Sequence, residues 1–275
     1  MPPAIEPLTD LRDDTGAGGD RAAASAETAA GPLASFVLTA AALVFWSLLQ
    51  ATVMMATLVS LLATGRWAPA DPGALLNAHL GRLFAIATLA SAPPACATAG
   101  LGLYLWARRH VPSPAAAVRH HLGLELPRLG SVLLWSLATV GFVYAFDFVT
   151  GLLERPPLPQ FMIDIHATAG SVWLLGAAVV VAAPLVEETL FRGLLLPGFT
   201  GRPGRSLWGL LLSAGAWAAI HAQYDLFDIT AIFLLGLLFG AARLHSRSLW
   251  TPILLHAGFN LTAMLQLLEE LGPVP

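Results

Sequence analysis

The chain has 275 residues, of which 56% are hydrophobic and only 11% charged, with a formal net charge of −3. Soluble globular domains carry about 25% charged residues, so this composition excludes an ordinary soluble domain and points to a polytopic membrane protein. All 14 basic residues are arginine. Nothing in the charge distribution points to nucleic acid, and the single cysteine, Cys96, permits neither an intrachain disulfide nor a CxxC metal site.

Six acids and two arginines lie in the first thirty-two residues. That stretch has no apolar run, so it reads as a polar, disordered tail and not as a signal peptide. Seven apolar runs follow, at 33–62, 83–107, 129–152, 171–196, 206–223, 229–244 and 248–268. Each approaches the roughly 20 residues that cross a bilayer. The expected fold is therefore all-α, a polytopic transmembrane helix bundle of about seven spans. The second run carries Pro93-Pro94 and is expected to kink there; an extra re-entrant segment near Pro156–Phe161 stays open.

Arginines cluster in alternate loops: Arg108, Arg109, Arg119 and Arg128, then Arg202 and Arg205, then Arg243 and Arg247. The positive-inside rule puts those loops and the N-terminus in the cytoplasm and the C-terminus outside. The expected location is a bacterial cytoplasmic membrane. Trp46, Trp67, Trp106, Trp173, Trp208 and Trp250 fall near expected span ends, as interfacial anchors do. His120, His121 and Glu125 sit in an arginine-rich loop that reads as a headgroup-facing surface. Asp225 and Asp228 read as solvated loop charges.

The fourth run contains Glu187 and Glu188, with Arg192 four residues after the second. A charge at a bilayer's centre costs roughly 2.5–3.5 kcal/mol on insertion scales, so an intramembrane ionisable cluster is read first as a functional site. Glu188 and Arg192 share a helix face and can pair. Glu187 points about 100° away and stays free for chemistry. Trp217 and His221 are four apart in the fifth run, and His256 and Asn260 are four apart in the seventh. At about 1.5 Å per residue, Glu187 and His221 both lie on the order of 20–25 Å from the arginine loop between them and can meet. His256 lies closer to the arginine side and needs tilt or a break to join them.

A carboxylate removed from water becomes a stronger base, and with a histidine it can activate a water. A second histidine and an amide can donate to an oxyanion. Alternatively Glu187, His221 and His256 can hold a divalent metal such as zinc in a three-ligand site with a bound water. Asp147 is expected either to line the same cavity or to bond a neighbouring helix, and Gly236 and Gly240 form a GxxxG spacing that suits close helix approach.

Glu187-Glu188-x-x-x-Arg192, Trp217-x-x-x-His221 and His256-x-x-x-Asn260, each in an apolar run and in that order, resemble the motifs of the CPBP intramembrane protease family. That family contains the type II CAAX-prenyl proteases and the bacterial "Abi" proteins linked to bacteriocin processing and immunity. The segment around Gly236 and Gly240 also looks like the family's glycine-bearing helix; Trp217 departs from the family's usual phenylalanine. The resemblance covers about 130–268. It divides the chain into a tail (1–32), N-terminal helices with a cytoplasmic loop (33–128), the protease-like core (129–268) and a C-terminal tail (269–275). It implies an endopeptidase of glutamate-dependent or metalloprotease type that cuts a membrane-associated peptide or protein, CAAX-prenylated or bacteriocin-like, against membrane lipid. Glu187 would be the general base, His221 would position the water, His256 and Asn260 would hold the oxyanion, and Glu188 and Arg192 would support them. The competing expectations are a non-catalytic immunity or scaffold protein and a proton-coupled transporter. Oligomeric state is not legible.

Overall fold

A computed structural model describes residues 30–63, 72–200 and 204–273. The expected polar tail lies almost wholly outside the described residues, as do Trp67 and Arg202. Among the described residues all regular structure is helical: α1 (Pro32–Ala63), α2 (Pro72–Ala78), α3 (Leu80–His110), α4 (Pro114–Leu122), α5 (Leu129–Leu152), α6 (Gln160–Thr168), α7 (172–199), α8 (Arg205–Ala219), α9 (Leu226–Ser246) and α10 (Trp250–Leu271).

Six of these, α1, α3, α5, α7, α9 and α10, are long and apolar enough to cross a membrane. The protein is thus an integral membrane helix bundle. The fifth expected span is helical only from Arg205 to Ala219. Its 15 residues rise only about 22 Å, against a hydrocarbon core of about 30 Å. The segment left open near Pro156–Phe161 leads into α6, a nine-residue helix.

The bundle is organised around α7. In its most apolar window 67% of residues are buried, against 6% for α5, which sits at the periphery. Phe191, Leu194, Trp217 and Phe239 join α7, α8 and α9 in one buried cluster. α5 turns Leu133, Leu137, Tyr144 and Phe148 outward, as a helix solvated by lipid does. Polar groups tie α1 to α3: the Trp46 indole N–H donates to Ser91 Oγ at 2.9 Å and Gln50 Nε2 donates to Thr88 Oγ1 at 3.4 Å. Such interhelical bonds contribute about 0.6 kcal/mol each on average. Trp46 is therefore a buried mid-helix residue and not an interfacial anchor.

The arginine-rich segments gather at one end and are stitched together there. Leu249 N–H donates to the Gly123 carbonyl at 2.8 Å, Ser248 Oγ to the Glu125 carbonyl at 2.5 Å, and Arg243 Nη2 to the His121 carbonyl at 3.0 Å. Gly123 adopts φ +70° at the end of α4, where a side chain would also strike the Arg243 guanidinium. His121 is not on the surface: it is buried, and its Nε2–H donates to the Leu194 carbonyl at 3.1 Å. Burial first, then the Arg243 charge, lowers its pKa to about 4, although the Leu194 carbonyl favours the protonated ring.

Candidate active site

The site begins with a local irregularity in α7. The helix is α-helical over Val172–Gly176, π-helical over Ala177–Ala182, α-helical over Ala183–Glu188, π-helical over Thr189–Leu195 and 3-10 over Leu196–Phe199. π segments occur mostly as short insertions, frequently at functional sites. In the first one, Ala183 N–H donates to the Ala178 carbonyl. The next donor in that register would be residue 184, which is proline and has no N–H. The Val179 carbonyl instead accepts from Asn260 Nδ2 at 2.8 Å. Asn260 thus closes a gap in the α7 backbone and fixes α10 against it.

Glu187 and Glu188 occupy the short α segment between the two π segments, and their surroundings differ. Glu188 Oε1 accepts from Arg192 Nη1 at 3.1 Å and from His256 Nδ1 at 2.9 Å. Arg192 also donates Nη2 to the Gly236 carbonyl at 3.0 Å, and its guanidinium lies 4.5 Å over the Trp217 ring. Glu188 and Arg192 are wholly buried. Arg192 is thereby neutralised by a carboxylate, bonded to a backbone carbonyl and stacked on an indole, which together suit a buried guanidinium.

Glu187 is bound by different partners. Its Oε2 accepts the Trp217 indole N–H at 2.6 Å and lies 4.0 Å from His221 Nε2. His221 falls just beyond the end of α8, and its Nδ1–H donates to the Trp217 carbonyl at 2.8 Å. That carbonyl is one of those a helix C-terminus leaves without a helical partner. The bond commits Nδ1 to that carbonyl, so Nε2 is the nitrogen that faces the Glu187 side. Trp217 contacts everything at once, with edge-on contacts to His221 and His256 at 5.2 Å each. Glycine at 236 makes room for it: a Cβ there would sit 3.0 Å from Trp217 Cε3 and 3.1 Å from Ala214 Cβ.

Glu187, Trp217, His221, His256 and Asn260 all line one cavity of about 580 Å³. Glu188 and Arg192 lie behind this wall. The rest of the lining is largely aromatic and aliphatic, including Phe84, Phe142, Phe146 and Phe161. Asp147 and Asp228 also face the cavity, so Asp228 is a cavity residue and not merely a solvated loop charge. Asp225 does lie outside, exposed; the Asp228 backbone N–H and then the Arg155 guanidinium hold its carboxyl below the usual range. Tyr224, at the cavity mouth, is pushed up from its ordinary value by burial, with the Glu187 charge adding to it.

Two features were not legible from spacing alone. Trp217 is the only side chain among the described residues that donates a hydrogen bond directly to Glu187, a role its spacing from His221 does not reveal. His256 was expected beside Glu187 but engages Glu188. The set expected for a metal is not assembled: among the described residues no three His, Cys, Asp or Glu side chains are grouped to hold a metal ion. His256 turns Nδ1 to Glu188, leaving Glu187 and His221 as a pair.

A helix bundle that buries two carboxylates, an arginine and imidazoles beside an apolar cavity defines an intramembrane protein with a polar, chemistry-bearing centre. Residues 169–262 are similar to the family described as Type II CAAX prenyl endopeptidase Rce1-like. The segment contains Glu187, Glu188, Arg192, His221, His256 and Asn260. That match spans about a third of the chain and is a likeness to the CPBP/CAAX intramembrane protease family. A curated relative, an "uncharacterized 24.3 kDa protein" of Escherichia coli, is 35% identical over 126 residues, covering 44% of this chain. The chain spans 58% of that relative's length. No solved structure matches.

Proposed function

We propose that the protein is an intramembrane endopeptidase in which Glu187 activates a water against a peptide carbonyl. The observation that carries this reading is that Glu187 Oε2 borders the cavity with a fixed donor, Trp217, on one side and His221 Nε2 4.0 Å away. A water placed there donates one hydrogen to His221 and the other to Glu187. As its oxygen attacks the carbonyl carbon, Glu187 takes the proton and then returns it to the leaving amine as the C–N bond breaks. His256, held through Nδ1 on the Glu188 carboxylate, presents its other nitrogen to the cavity. Its donation to the tetrahedral oxyanion, with the second Asn260 amide hydrogen beside it, requires both ring nitrogens to carry a proton while Nδ1 stays on Glu188. Arg192 and Glu188 set the position of His256. No step is routed through a metal, because the donor set does not fit one in this arrangement.

The substrate is a membrane-associated polypeptide cut near its C-terminus, with prenylated CAAX-type and bacteriocin-like peptides as the two classes to test. On this reading the protein lies in a bacterial cytoplasmic membrane with its arginine-rich end on the cytoplasmic side, an orientation the positive-inside rule supports. The test is cleavage of a prenylated CAAX peptide and of a mixed peptide library by purified protein, wild type beside Glu187→Gln, with and without a chelator. Cleavage that survives the chelator and vanishes in Glu187→Gln is the expected result. Well-folded wild type that cuts nothing overturns the protease in favour of an immunity, scaffold or transport role.

A further inference from the structure

The two ends of the bundle are built differently. At one end lie Arg108, Arg109, Arg119, Arg128, Arg243 and Arg247, and this end is closed. The bonds of Gly123, Glu125 and His121 to the 243–249 segment, with the buried His121–Leu194 contact, leave no lining residue of the cavity there. At the other end the cavity wall is made of the loops after α5 and α8. Pro157 and Gln223 line the cavity and are exposed. A second hollow of about 370 Å³ adjoins it at that end, lined by Arg155, Gln160 and Asp225 among others. Arg155 is tied to Asp225, and Glu154, Asp164, Glu269 and Glu270 make the end acidic overall.

We infer that the mouth of the cavity opens on the face opposite the arginine-rich loops, away from the cytoplasm. Arginine bias in short loops sets orientation, while acidic residues contribute little, so the two ends are distinguished by their arginines alone. A scissile segment then reaches Glu187 from outside. The substrate class this selects is an exported polypeptide, or a membrane-anchored one whose cleaved segment faces outward and carries apolar side chains into an aromatic-lined cavity. A C-terminally lipidated cytoplasmic protein would meet the sealed end. The substrate statement rests on the protease reading above; the sidedness of the mouth does not.

The test is therefore independent of turnover. In a Cys96→Ala background, single cysteines are placed by Gln223→Cys at the mouth and by Ser113→Cys at the arginine-rich end, where Ser113 is exposed. A membrane-impermeant maleimide is applied to spheroplasts and to inverted vesicles of a bacterial host expressing the full chain. The expected result is labelling of Gln223→Cys in spheroplasts only and of Ser113→Cys in inverted vesicles only. The reverse pattern, labelling of both from one side, or a mouth cysteine that reacts only after solubilisation overturns the inference. If the expected pattern holds while purified protein cuts no peptide, the protease reading fails and the outward mouth stands.

Discussion

Glu187 and Glu188 are adjacent, yet one borders a cavity and the other is sealed behind it by Arg192 and His256. Their substitutions should separate accordingly. Glu187→Gln is expected to abolish cleavage with an unchanged melting temperature in detergent. Arg192→Ala leaves Glu188 buried against His256 alone; stripping one partner from a buried pair costs about 3–5 kcal/mol, so thermal unfolding should move down sharply. An unaltered melting curve for Arg192→Ala would remove the structural role given to this pair. Trp217→Phe keeps the ring under Arg192 but deletes the N–H bonded to Glu187. A hydrogen bond to a charged group contributes about 1.5–3 kcal/mol, or roughly 10- to 150-fold in rate if it is lost only at the transition state. The loss is expected in kcat with KM nearly constant; a rise in KM alone would mean that Trp217 shapes substrate binding instead.

At the scale of helices, the close approach of α8 and α9 is what puts Trp217 beneath Arg192. Gly236→Val forces a side chain against Trp217 and Ala214. Overpacking of this kind costs about 1–3 kcal/mol, and here it should lower activity together with stability, as read by unfolding and cleavage on one preparation. The helices themselves were legible because lipid demands long apolar runs, and the GxxxG spacing and the Glu188–Arg192 pairing follow from helical periodicity alone. The partner of His256 was not. Counting residues from Arg247 treats the start of α10 as a free surface, whereas Ser248, Leu249, Thr251 and Pro252 are buried and the 121–125 segment is bonded to it; which carboxylate His256 meets is set by that packing and not by the count. The π segments were invisible for a related reason. Pro184 announces a missing donor, but which carbonyl loses it depends on the register, and only Asn260 on Val179 reveals that. Trp46 and His121 were misplaced because an amphipathic side chain in an apolar run, or a histidine in an arginine loop, has the same local sequence whether a neighbouring helix covers it or not.

Over the whole molecule, the sealed end predicts how stability varies with pH. His121 Nε2–H is committed to Leu194, its Nδ1 is buried with no partner among the described residues, and Arg243 lies alongside. The ring's pKa falls from 6.5 to about 4 on folding. Between those values the unfolded chain binds a proton that the folded one does not, so stability is full above about pH 6.5 and is lost as pH falls toward 4, by up to about 3 kcal/mol. His121→Gln should flatten that part of the melting-temperature profile; a slope unchanged by the substitution would assign the acid sensitivity elsewhere. The other end of the molecule carries a different consequence. Phe142, Phe146 and Asp147 form one wall of the cavity, and they belong to α5, the helix with the least protein around it. What presses on the back of that wall is the acyl chains. Bilayer thickness and lateral pressure therefore act directly on the width of the cavity, and the surrounding lipid is as much a part of the site's architecture as the helices that carry the carboxylates.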